Sequence, residues 1–237
     1  AQLWREADLI LPCSRFIHDE LAEKGAPMGK MVVHHNTADP ARFEPGEKRD
    51  LLVFAGRWTE KKGIDTLIAA LARLGEELEG WTVRLIGDGD LKTPLVERLE
   101  QAGVQAELPG WVPADEMPAQ WAEARIAVVP SKRAQSGDAE GLPLVCIEAM
   151  LSGCALAATR HAGIPECVKD GETGYLVDEG DDAALADRLA RMLTDRERTA
   201  RMGEAGRELA LESFNLQTQS RKLEGYLMDL ARKAGTL

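Results

Sequence analysis

The segment from Ser136 to Met150, SGDAEGLPLVCIEAM, places Glu140 and Glu148 on either side of a Gly141-Leu142-Pro143 turn that opens an apolar helical run. Pro143 suits the first helical position, where a missing N–H costs nothing. At roughly 1.5 Å of rise per residue, Glu148 falls about one and a half turns inside the helix. Glu140 stays in the loop before it. The N–H groups of Gly141 and Leu142 then sit at the positive end of the helix dipole. Two carboxylates around a helix N-terminus suit a ligand with hydroxyl groups on both sides of a phosphate.

Other chemistry-bearing residues follow apolar runs that read as strands. After Leu51–Ala55 comes GRWTEKKGID. Gly56 permits a tight exit there, and Arg57, Lys61 and Lys62 precede a helix start near Gly63 or Ile64. Basic side chains oppose the dipole at a helix start, by a few tenths to about 1 kcal/mol each, which suggests an anion among them. The bland reading is a solvated basic loop. After Val83–Ile86 comes GDGD, where Gly87 and Gly89 allow close backbone approach but lack dinucleotide-fingerprint spacing. After Gln105–Leu108 come Trp111 and Val112, a flat surface for a base or a hydrophobic plug. Lys132 and Arg133 follow Ile126–Val129, and Arg160 and His161 follow Ala155–Ala158. In an open α/β sheet such loops share one edge, so these basic residues should converge on a phosphate-bearing ligand.

The elements that must position these residues alternate between strand and helix. Two further strands are predicted at Leu9–Pro12 and Met31–His34, and one at Tyr175–Val177. Helical periodicity covers Arg15–Lys24, Ile64–Leu74, Thr93–Ala102, Met117–Glu123, Leu144–Ser152 and Asp182–Leu193. Near-continuous apolar strands between helices predict an α/β, Rossmann-like, doubly wound parallel sheet. The tail from Arg196 is helical in composition. Leu223, Tyr226, Leu227 and Leu230 form one apolar face, as in a terminal packing helix. Pro40–Asp50 is polar, holds two prolines and reads as a linker. The preceding 40 residues are too few for an independent domain of this type and read as the end of something larger.

The 237 residues carry 29 Lys and Arg against 40 Asp and Glu, a net charge of −11. That balance argues against nucleic acid and against docking on anionic lipid. Cys13, Cys146, Cys154 and Cys167 show no paired spacing, and four histidines show no metal-ligand spacing. A reduced, cytosolic protein with packing cysteines is expected. No run is long and apolar enough to span a bilayer, and no signal peptide is legible.

GRWTEKKGIDTLIAAL, IGDGD, PGWVP, VVPSK and EGLPLVCIEAMLSGCALAATRHAGIPECVKDGETGYLV occur in the order found in retaining glycosyltransferases of family 4. From about Leu51 onward the chain resembles their C-terminal, donor-binding domain, one half of the GT-B fold. GDAEGLP with RHAGIPE is most similar to members that build bacterial exopolysaccharides such as colanic acid. The resemblance implies a remnant of the N-terminal, acceptor domain and hinge over residues 1–45. It implies a nucleotide-sugar donor domain over 46–217, and the packing helix over 218–237. The hinge reads Asn36-Thr37-Ala38-Asp39, with Thr37 where the family has Gly.

By resemblance, Arg57 and Lys62 clasp the donor diphosphate, beside Gly56 and Gly87. Glu140 holds the transferred sugar, which makes Arg57, Lys62 and Glu140 the expected catalytic set. Glu148 holds the ribose, and Gly141, Leu142 and Pro143 lie against sugar and phosphate. Trp111 and Val112 border the base. No metal or other cofactor is implied. The donor is a UDP- or GDP-sugar, and the acceptor a glycan or lipid-linked molecule. The missing N-terminal Rossmann-like domain is the further partner, with peripheral membrane association of the full enzyme at the inner face of the membrane. A hexosyltransferase of polysaccharide biosynthesis is expected, with the isolated chain inactive. Two alternatives stay open: a non-catalytic nucleotide-sugar-binding module, and a sugar-nucleotide epimerase or glycoside phosphorylase of similar fold.

Overall fold

A computed structural model describes residues 2–235. Six strands form one parallel sheet: β1 (Leu51–Ala55), β2 (Thr82–Ile86), β3 (Glu107–Gly110), β4 (Ile126–Val129), β5 (Ala155–Thr159) and β6 (Gly174–Val177). Their order is β3-β2-β1-β4-β5-β6. The winding direction reverses between β1 and β4, the position where open α/β sheets hold ligands beyond the carboxyl ends of their strands.

Among the described residues the helices are α1 (Gln2–Glu6), α2 (Arg15–Glu23), α3 (Ile64–Leu74), α4 (Lys92–Gln101), α5 (Met117–Glu123), α6 (Leu144–Leu151), α7 (Asp182–Thr194), α8 (Arg196–Ser213) and α9 (Leu216–Lys233). Successive strand residues point to opposite faces. Leu51, Val53 and Ala55 therefore join a core with Trp121 of α5, Ile147 and Met150 of α6 and Phe214. Leu52 and Phe54 join a second core with Leu67 and Leu71 of α3 and Leu185 and Leu189 of α7. Both faces of β1 are buried, which is why it reads as an unbroken apolar run. Trp58 is fully buried in the second core, so its bulk fills the fold and does not narrow the ligand edge.

The two strands predicted in the lead-in reduce to one isolated parallel bridge, Ile10 with Met31. The segments lie side by side, with Val32 N–H donating to Ile10 O (3.0 Å), and no further strand flanks them among the described residues. The Pro40–Asp50 stretch, expected as a linker, packs closely on the domain. Phe43 is buried, and Lys48 Nζ donates to the carbonyls of Trp121 (3.1 Å) and Ser152 (2.6 Å). Burial pushes the neighbouring Cys154 thiol up to about 11. Asn215 caps α9 through Oδ1 (2.8 Å from Gln217 N) and separates it from α8. The apolar face expected on the tail is only partly covered. Tyr226 meets His34 edge-on, whereas Leu227 stays 55% exposed.

Candidate functional site

A cleft of about 780 Å³ opens at the carboxyl ends of β1, β2 and β3 and against the start of α6. Its walls include Gly56, Arg57, Gly87, Trp111, Val112 and Glu148, six of the residues expected at a ligand site. They arrive from the loops after β1, β2 and β3 and from α6, so the sheet topology brings them together. Gly87 makes the close approach possible. It has φ of +126°, and a Cβ there would lie 1.9 Å from Gly56 O. The loops after β1 and β2 are thus pressed backbone to backbone.

Lys62 and Glu140 lie just beyond the cleft's lining, across Gly56. A Cβ on Gly56 would meet Lys62 Cδ at 3.4 Å. Lys62 Nζ stands 3.1 Å from Glu140 Oε1, with both side chains largely buried. That oxygen has no aligned hydrogen-bond donor, so the contact is an ion pair without hydrogen-bond geometry. Lys62 ends a 3-10 turn (Glu60–Lys62), and Gly63 at φ +63° then launches α3.

Leu142 and Pro143 are buried, and Gly141 is half-buried. Pro143 does not take the first helical position. Its φ of −64° is helix-compatible, but its ψ of 125° is extended, and α6 starts at Leu144. No side chain caps this helix. The N–H groups of Gly141 and Leu142 find no acceptor among the described residues. They leave donors at the positive end of α6, beside Lys62 and Glu140.

The basic residues do not all converge. Lys132 Nζ is held by Asp65 (2.6 Å), Arg133 pairs with Glu20 (3.2 Å) and Arg160 with Asp170 (2.7 Å). Lys61 pairs with exposed Asp138 (3.1 Å). Their carboxylate partners all come from other loops or elements, so the pairing was not legible from the basic residues alone. Arg57, exposed on the cleft wall, makes no ion pair among the described residues. Trp111 is 72% exposed and so is not a hydrophobic plug. Sequence reasoning missed Asp88, Asp90, Met117 and Val145, which also line the cleft. The GDGD run carried the signal for the two aspartates. Among the described residues no group of His, Cys, Asp and Glu is placed to hold a metal ion.

Glu148 projects from α6 into the cleft and accepts a 3.3 Å hydrogen bond from Trp121 Nε1. Burial holds its pKa above the ordinary 4.5, against the weaker opposing pull of Trp121 and Arg42. A diol donating to this carboxylate favours its ionised form. Diol binding should therefore release a proton where free Glu148 is still protonated, and affinity should rise with pH through that range and then level off. Calorimetry of a nucleotide-sugar, whose diphosphate diester does not titrate in the carboxylate range, in two buffers of different ionisation enthalpy should show proton release at acid pH that disappears as the pH rises. Glu148→Gln should abolish the difference.

The group 1 glycosyl transferase family model matches residues 36–209. The chain belongs to the group 1 glycosyl transferases. WcaL of Escherichia coli K12, named for a glycosyltransferase role in colanic acid biosynthesis, is 34% identical over 97% of this chain and 58% of its own length. The amylovoran biosynthesis glycosyltransferase AmsK of Erwinia amylovora is 31% identical, again over 97% and 58%. The chain thus spans a little over half the length of these relatives. The crystal structure of Anabaena HepE in complex with UDP superposes with a TM-score of 0.85 at 22% identity, over 95% of this chain and 65% of that one. The C-terminal domain of the group 1 glycosyl transferase LpcC from Francisella tularensis gives 0.68 at 26%, over 76% and 99%. The fold is accordingly one half of a GT-B glycosyltransferase. Thr37, standing where the family hinge has Gly, adopts no positive φ; Ala162 is the one non-glycine residue that does so among those described.

Proposed function

We propose that this chain is the donor-binding half of a retaining hexosyltransferase of polysaccharide biosynthesis. The observation that carries this reading is the joint between cleft and helix. There Arg57, without an ion pair among the described residues, follows Gly56 on the cleft wall, Lys62 packs on Gly56 and pairs with Glu140, and the next two residues, Gly141 and Leu142, leave their N–H groups free at the start of α6. A diphosphate placed there meets two cations and a helix N-terminus. These groups stabilise the negative charge that grows on the departing nucleoside diphosphate as the sugar–oxygen bond breaks. No metal is required in this account, because Arg57, Lys62 and the α6 terminus take that electrostatic role.

Glu140 accepts hydroxyl protons of the transferred sugar, and Glu148 accepts those of the ribose. Trp111 and Val112 border the base. Neither glutamate is assigned as a covalent nucleophile. Retention is attributed to attack by the acceptor hydroxyl from the side of the leaving phosphate. The acceptor, a glycan or lipid-linked molecule, approaches from a domain this chain does not contain. A lipid-linked acceptor of this kind fits an enzyme that works in the cytoplasm, at the inner face of the membrane. No helix among the described residues is long and apolar enough to cross a membrane.

The donor is a nucleotide-diphospho-hexose. The named relatives and neighbours use both bases, UDP in HepE and GDP-mannose in a Mycolicibacterium smegmatis mannosyltransferase 29% identical to this chain. A thermal-shift panel of UDP, GDP and ADP with their glucose and mannose conjugates separates them. One base series should raise the melting temperature, and transfer to added acceptors should be negligible. A flat response to every ligand would sink the reading.

A further inference from the structure

One carboxylate outside the cleft holds both ends of the loop that carries Glu140. Glu179, two residues beyond β6, accepts the Arg133 N–H at 2.7 Å through Oε2. Its Oε1 lies 2.6 Å from Nδ1 of His161, a side chain only 1% exposed. The other ring nitrogen, Nε2, lies 3.1 Å from the Glu140 backbone N–H. That N–H can only donate, so Nε2 must accept, and the ring proton sits on Nδ1 facing Glu179. The burial of Glu179 raises its pKa, but the Arg133 N–H and His161 outweigh this and hold the carboxyl below its ordinary value.

The rest of the loop is held by weaker means. Gln135 N–H reaches Glu60 Oε1 at 3.2 Å, and the Lys61–Asp138 pair is partly solvent-exposed. A second pin lies next to His161, where Gly163 N–H donates to Gly141 O at 2.8 Å. A Cβ on Gly163 would lie 2.5 Å from that oxygen, so the two turns are in direct contact. The Glu140 backbone is therefore fixed by His161, and the residue after it by Gly163. The Glu140 side chain is left to face Lys62.

We infer that His161 and Glu179 are a positioning pair that aims the Glu140 carboxylate at the transferred sugar. The inference rests on the donor-site reading for the identity of the ligand, though not for the hydrogen-bond chain itself. Glu179→Gln leaves one acceptor oxygen for two donors, so either His161 Nδ1–H or the Arg133 N–H faces an amide donor. His161→Phe keeps the ring volume and removes both of its contacts. Either change should loosen the loop that carries Glu140 and leave the diphosphate cations Arg57 and Lys62 in place.

The test is titration calorimetry of wild type, Glu179→Gln, His161→Phe and the double variant. The ligands are UDP and UDP-glucose, then GDP and GDP-mannose. Each single variant should weaken the nucleotide-sugar about tenfold, the loss of one hydrogen bond to a charged or aligned group. The bare diphosphate should stay within about twofold. The double variant should be no worse than the singles, as expected for two residues in one chain of bonds. Hydrogen exchange at the Glu140 amide should quicken in both, and the wild-type imidazole ¹⁵N spectrum should show the Nδ1–H form. Equal weakening of both ligands, no weakening of either, or an Nε2–H ring would overturn the inference. If wild type binds none of the four ligands, the donor-site reading fails. The ring tautomer and the Glu140 amide exchange then still decide whether the pair positions Glu140. Glu179→Gln, whose side chain is partly exposed, keeps the test valid should the buried His161→Phe fail to fold.

Discussion

Lys62→Ala should weaken binding of a bare nucleoside diphosphate about a hundredfold, or 2–3 kcal/mol, the scale of a lost charge-assisted phosphate contact. Arg57 alone would remain to face the phosphates from the cleft wall. The change also strands Glu140, whose side chain is 11% exposed and whose Oε1 has no other donor. An uncompensated carboxylate at that burial is costly and works against an incoming anion. Glu140→Gln removes this second penalty. Placed on top of Lys62→Ala, it should recover part of the lost diphosphate affinity. Alone, it should weaken a nucleotide-sugar about tenfold and leave the bare diphosphate nearly unchanged. Calorimetric titration of the two singles and the double measures the coupling directly. Strict additivity would show that the 3.1 Å pair carries no energy relevant to the ligand.

Gly63→Ala should cost at least about 3 kcal/mol of stability, and is expected to prevent folding at moderate temperature. Gly63 joins Lys62 to α3 at φ +63°, and its Cβ would lie 1.8 Å from the Pro130 carbonyl oxygen. Both the backbone angle and the contact oppose a side chain. Gly137 supplies the control. Its φ is +86°, but nothing lies within 4 Å of a Cβ there. Gly137→Ala should therefore show the conformational cost alone, about 1 kcal/mol. Chemical denaturation of the two variants separates the terms. Equal losses would mean that the close approach of the β1 and β4 loops is not what fixes Lys62.

Most of the sheet was legible because its strands are buried on both faces. Leu51–Ala55 and Ile126–Val129 are found where their apolar runs place them. The edge strand was displaced, from Gln105–Leu108 to Glu107–Gly110. Residues 107–109 are exposed, so burial leaves little pattern there to read. Leu9–Pro12 and Met31–His34 have strand-like composition, but pairing needs neighbours, and each has only the other. At the site, residue types that follow strands were legible, whereas their partners were not. Lys132, Arg133 and Arg160 share the basic character of Arg57, yet each is paired with an acid outside its own loop. His161 showed no metal spacing, and nothing in the sequence links it to Glu140 or Glu179. That link exists only because β5 and β6 bring their following loops together against α6.

The proposed donor contacts meet at one location, the joint between the cleft and the start of α6. A ¹⁵N-resolved titration of the chain with UDP-glucose and GDP-mannose reads that location amide by amide. The predicted result is saturable shifts at Gly56, Gly87, Val112, Gly141 and Leu142, lost in Lys62→Ala. Shifts confined to the groove beside Leu230 and Ala234 at the end of α9, or no saturable shift with either ligand, would contradict it.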